Sequence, residues 1–192
     1  FCGSYITQLR ETARSEVARL TGAGKGTSVV FTGSGSTAAI NRIVGLLDIS
    51  SIVSHGGRAV ILVGPYEHHS NLLPWRESGA EVFEIDEAIQ GGPDIAALED
   101  ALDQAKGSDV IVGAFSAASN VTGIITDVDA VTKTLKSRGA FAIWDYGCAA
   151  PSLPMDMKLG TNASKDAIVF SPHKFPGGPG ASGVMIVRDE LV

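Results

Sequence analysis

Seven short apolar runs, at residues 28–32, 59–64, 81–85, 110–114, 140–145, 167–171 and 183–187, punctuate the chain, each flanked by turn-forming residues. Most are apolar throughout rather than alternating, which is the pattern of strands covered on both faces. Helical periodicity fills several of the gaps. Ile6, Leu9, Ala13, Val17 and Leu20 recur at helical spacing before Gly22, Gly24 and Gly26 break the pattern. Ile40, Ile43, Val44 and Leu47 follow the first run, Ile95, Leu98, Ala101 and Leu102 follow a capping Asp94, and Val128, Val131 and Leu135 follow Thr126 and Asp127. Strand and helix in alternation predict an α/β domain: a mostly parallel seven-stranded sheet with helices on both faces. Only a loop separates the last two runs, which allows one of them to run antiparallel.

At 192 residues and 44% apolar content the chain is long enough for one domain with a sizeable core, and no repeat, low-complexity tract or linker divides it. Fifteen basic against 21 acidic side chains argue against a nucleic-acid partner. No uninterrupted apolar run approaches the ~18 residues that would span a bilayer. Cys2 and Cys148 are too few for a disulfide framework, so a reducing, cytoplasmic setting is expected. The chain starts at Phe1 without Met and stops at Val192 just after a strand, so it is expected to be part of a longer protein.

In parallel α/β sheets ligands bind beyond the carboxyl ends of the strands, so the residues just after each run matter most. The sixth run ends in Ser171, Pro172, His173 and Lys174 before dissolving into glycine and proline. A lysine at a strand end is expected to be partly desolvated and hence more nucleophilic, although a plain surface lysine in a turn fits the segment as well. After the first run, Gly33 to Thr37 place small residues at a helix N-terminus suited to a phosphate, or simply make a strand-to-helix turn. Glu67, His68 and His69 follow the second run. A metal site is the rival there, disfavoured because adjacent side chains on extended backbone diverge. Asn120 to Gly123 form a polar turn after the fourth run, and Asp145 closes the fifth, where a buried carboxylate needs a partner. A phosphate cradle, an imidazole able to stack, a carboxylate for a pyridinium nitrogen and a lysine for an aldehyde are the contacts that pyridoxal phosphate requires.

From Phe31 to Leu191 the chain resembles the class V aminotransferase family of pyridoxal-phosphate enzymes, which includes cysteine desulfurases and selenocysteine lyases. The resemblance implies the large, cofactor-binding domain of the aspartate aminotransferase-like fold, over residues 1–192. It gives Gly35, Ser36 and Thr37 to the phosphate, His68 to stacking on the ring, Asn120 to the cofactor hydroxyl and substrate carboxylate, and Asp145 to the pyridinium. Ser171 and His173 fall to the phosphate and Lys174 to the covalent link and proton shuttling; this Ser-x-His-Lys match is the most specific. One departure stands out: where desulfurases carry glutamine three residues after the aspartate, this chain has Cys148, whose plainest role is packing. The family's sulfur-accepting cysteine and carboxylate-clamping arginine lie on a smaller C-terminal domain, expected beyond Val192 together with a missing N-terminal segment. An amino-acid substrate and a homodimer are further implications, with desulfuration or selenocysteine lysis as the leading activity. Transamination, another elimination, or a non-catalytic cofactor-binding fragment are the alternatives.

Overall fold

The computed structural model describes residues 2–192; Phe1 and the side chain of Cys2 lie outside the described residues. All seven apolar runs form strands: β1 (Thr27–Gly33), β2 (Ala59–Val63), β3 (Glu81–Glu84), β4 (Val110–Ser116), β5 (Phe141–Asp145), β6 (Ala167–Phe170) and β7 (Gly183–Arg188). Among the described residues α1 (Cys2–Leu20) precedes the first strand, and α2 (Gly35–Leu46), α3 (Ile49–Ser54), α4 (Leu73–Glu77), α5 (Ile95–Gln104) and α6 (Val128–Ser137) lie between the strands from β1 to β5. Two helix starts follow directly from the sequence. The Asp94 carboxylate accepts the N–H groups of Ala96 and Ala97, and Asp127 accepts that of Ala130. Each cap contributes about 1 kcal/mol. The short α3 and α4 carry too few turns to show a helical period, and the sequence pattern did not reveal them.

The strands form one sheet in the order β1-β7-β6-β5-β4-β2-β3. β7 pairs antiparallel with both β1 and β6, while β6, β5, β4, β2 and β3 are mutually parallel. The chain therefore makes β7 the reversed strand, because the connection from β6 holds a short turn and a glycine- and proline-rich stretch rather than a crossover helix. The carboxyl ends of β1, β2, β4, β5 and β6 consequently share one rim, and β7 enters the sheet from it.

Side-chain alternation along each strand feeds two cores. Val60, Leu62, Phe115 and Trp144 pack with Leu98 and Leu102 of α5 and Val131 and Leu135 of α6. Ala59, Ile61, Val63 and Ile143 pack with Ile40 and Ile43 of α2, Ile49 of α3 and Trp75 of α4. Each fully buried aliphatic or aromatic side chain stabilises the fold by about 1.5–3 kcal/mol, which is why unbroken apolar strands are needed here. The stretch Gly35–Ser54 is long and apolar enough by composition to cross a membrane. It is broken at Asp48, whose φ is 48°, and its apolar side chains Ala39, Ile40, Ile43 and Ile49 lie in the second core.

Candidate active site

Gly35, Ser36, Thr37, His68, Asn120, Asp145, Cys148, Ser171, His173 and Lys174 line one cleft of about 290 Å³ at the shared rim. Ser34, Ser70, Ser116, Ala118 and Gly147 complete it. These five were not selected because serine, alanine and glycine carry little signal of their own; only their place next to strand ends could have marked them.

The anion-binding end is built from three segments. Ser34 gives α2 no side-chain cap, and the hydroxyl of Ser171, at the end of β6, instead accepts the Ser36 N–H at 2.8 Å. The Ser171 hydroxyl also donates to the Ser36 hydroxyl at 3.3 Å. Gly35, at φ +64°, allows this close approach: a Cβ there would sit 2.7 Å from His173 Cε1 and 2.9 Å from Ser171 Oγ. Hydroxyls, an imidazole and a helix N-terminus thus surround one small space, an arrangement that favours an anion.

Asp145 is buried, and its carboxylate accepts the Gly147 N–H at 2.7 Å without forming a salt bridge. Burial raises its pKa; the Gly147 hydrogen bond and the Lys174 charge oppose that rise. His68 Nδ1 accepts the Ser70 N–H at 3.1 Å, which leaves the proton of a neutral ring on Nε2. His69 does not line the cleft; its ring lies 6.2 Å from that of His68, tilted by 51°.

Glu67 was read only as the neighbour of His68, yet its carboxylate is enclosed by three donors: Ser116 N, Ser116 Oγ and Asn71 Nδ2. Trp75 Nε1 holds Asn71 in turn at 3.2 Å. Burial pushes Glu67 up to about 7 against the pull of those hydrogen bonds. Around Asn120, the Ser119 hydroxyl accepts from Val121 and Thr122, and Gly123 turns the chain at φ +75°. Cys148 directs its thiol to the Ala118 carbonyl at 3.3 Å, and burial raises its pKa.

One expectation fails. Lys174 is exposed, in the turn Pro172–Lys174 beyond β6, so burial does not desolvate it. The strand ends at Phe170, and the intervening turn carries the lysine out to the cleft mouth. Its ammonium forms no hydrogen bond or ion pair among the described residues.

Fold and cleft together define an α/β domain that presents a free lysine, a buried carboxylate and an anion cradle at one sheet rim. Residues 2–192 match the family description "Aminotransferase class-V", and the chain belongs to that family. A "Probable cysteine desulfurase" of Aeropyrum pernix is 32% identical over 188 residues, covering 95% of this chain and 42% of the relative. Among solved structures, the apo cysteine desulfurase of Thermococcus onnurineus NA1 superposes with a TM-score of 0.76 at 30% identity, covering 94% of this chain and 43% of its own. The Escherichia coli cysteine desulfurase CsdA gives 0.79 at 27%, with 98% and 45% covered. The chain thus spans less than half the length of the curated relatives it matches.

Proposed function

We propose that the protein uses pyridoxal phosphate to act on an amino acid, with cleavage of the cysteine carbon–sulfur bond as the reaction and selenocysteine lysis as its close variant. The observation carrying this reading is the convergence of Lys174, Asp145, His68 and the Ser36–Ser171 pair on one cleft. Three features fit the cofactor. A Cβ at Gly35 would fill the anion cradle, Asp145 is a buried carboxylate in want of a cation, and Lys174 has no competing partner. The bound group would supply an electron sink for charge developing at the substrate's α-carbon.

The protein's own residues do the rest. Ser36, Ser171 and His173 hold the phosphate with the N-terminus of α2, fixing the position of the group. Asp145 keeps a proton on the ring nitrogen, whose positive charge offsets the cost of burying the carboxylate. His68 is oriented by Ser70 and packs against the ring from the cleft wall. Lys174 Nζ would be the group that holds the cofactor aldehyde and, as a neutral amine, the one that takes and returns the substrate's α-proton. Asn120 contacts the cofactor hydroxyl and the substrate carboxylate. A homodimer in the cytoplasm completes the reading, the first from family resemblance and the second from the scarcity of cysteine.

Adding pyridoxal phosphate to the purified chain should produce a yellow protein. Borohydride reduction and peptide mapping should then place the label on Lys174. A label on Lys158 or Lys165 instead would overturn the assignment, and transamination of the same substrates without sulfide release would redirect the reaction type.

A further inference from the structure

A second cavity, of about 390 Å³, lies on the opposite face of the sheet. Residues alternate across the rim: Ser116, Ala118, Asp145 and Gly147 line the first cleft, whereas Ala117 and Tyr146 turn to the α6 side and line this one. Lys165, which is 1% exposed, reaches into it from the start of β6. Its ammonium has only long contacts, Asp129 Oδ1 at 3.5 Å and the Ala163 carbonyl at 3.4 Å. Lys158 Nζ binds the other oxygen of the same Asp129. Two ammonium groups therefore share one carboxylate.

The remaining acids of the wall each place one oxygen in a backbone hydrogen bond, while the charge of Asp156 still reaches Lys158, Lys165 and Tyr146. Asp127 Oδ1 caps α6, and Asp156 Oδ1 accepts the Lys158 N–H at 2.8 Å; both residues are exposed, where water screens their charge. Tyr146, 4% exposed, lines the same cavity, and its hydroxyl has no hydrogen-bond partner among the described residues. Burial and the charges of Asp129 and Asp156 push its pKa up to about 12, so it stays a protonated donor. The Lys165 ammonium, held by long contacts, and the Tyr146 hydroxyl, without an acceptor among the described residues, are the two donors that face the cavity. Facing them are the apolar side chains of Ile125, Val128, Leu153 and Pro154.

We infer that this cavity is a second small-molecule site, which takes a carboxylic acid with an apolar body, its carboxylate on Lys165 and Tyr146 and its body against Leu153 and Val128. The inference is independent of what the first cleft binds. Phosphate alone would leave the apolar wall uncovered.

Titration calorimetry of the 192-residue chain with phenylacetate tests it. Saturable binding with a dissociation constant of about 1 mM is expected for a ligand of about ten non-hydrogen atoms. Tyr146→Phe, which keeps the ring packing, should weaken binding about tenfold or more through loss of one hydrogen bond to a charged group. Lys165→Met should weaken it further, and Lys174→Ala, in the first cleft, should leave it unchanged. The proposal is overturned by the absence of saturable binding, or by equal binding of phenethylamine or inorganic phosphate. It is overturned equally by a loss in Lys174→Ala with none in Tyr146→Phe. Should Lys165→Met fail to fold, the Tyr146→Phe comparison decides alone.

Discussion

Glu67 shows how a single residue ties the cleft to the stability of the whole fold. In the unfolded chain its carboxyl titrates near 4.5, and in the fold near 7. Below the lower value both states hold the proton and nothing is gained or lost. As pH rises through the window the unfolded state releases its proton while the folded state keeps it, so stability falls and then levels off above about 7. The separation corresponds to about 3 kcal/mol. Asp145, also raised by burial, adds in the same direction, whereas Asp129, held low by Lys158, titrates below this window. Urea unfolding should therefore show the parent losing a few kcal/mol between pH 5 and pH 8. Glu67→Gln should flatten that slope and exceed the parent at pH 8; retention of the full slope would rule this account out. The role of Glu67 could not be read from sequence. Its neighbour His68 drew attention as chemistry, but the enclosing donors, Ser116 and Asn71, come from separate segments that only the fold brings together. Lys174 differs in the opposite sense: its place on the cleft was legible, but its exposure depends on how far a turn carries it from the end of β6.

At the level of elements, the start of α2 and the start of β7 meet backbone to backbone. A Cβ on Gly183 would lie 2.2 Å from the Gly35 carbonyl oxygen, a contact that no side-chain rotation can relieve. Gly183 is paired with Gly33 at the rim end of the β1–β7 ladder, so the same glycine sets both the sheet edge and the height of the helix above it. Gly183→Ala should destabilise the fold by about 2–4 kcal/mol and push the α2 N-terminus off the anion cradle. Chemical denaturation reads the first effect, and weaker retention of pyridoxal phosphate, or of inorganic phosphate as its surrogate, reads the second. A variant as stable as the parent, with unchanged phosphate affinity, would show that the contact relaxes freely. All seven strands and the capped helices α5 and α6 were visible in the sequence, because buried strands are apolar without interruption and a cap aspartate precedes each of those helices. The order of strands was not visible. β7 slots between β1 and β6, and that arrangement is decided by contacts distant in sequence.

For the molecule as a whole, the proposed desulfuration demands more than the cleft contains. A thiolate must attack the substrate sulfur, and a cation must fix the substrate carboxylate. The sulfur lining the cleft is that of Cys148, whose thiol is spent on the Ala118 carbonyl and whose pKa burial raises, so the thiolate is disfavoured there. Among the described residues no arginine lines the cleft, and in the proposed function Lys174 is taken up by the cofactor. The relatives named cysteine desulfurase are more than twice as long as this chain, and family resemblance puts both missing groups in their additional length. The 192-residue chain should therefore bind pyridoxal phosphate and yet release neither sulfide nor alanine at a sustained rate from cysteine and a reductant. Cofactor binding, read by absorbance, and turnover, read by sulfide and alanine, are separate measurements on the same sample. Yellow protein without turnover is the expected pair. Sustained turnover that disappears on Cys148→Ser would make that cysteine the sulfur acceptor and show that this sheet rim alone supports the reaction.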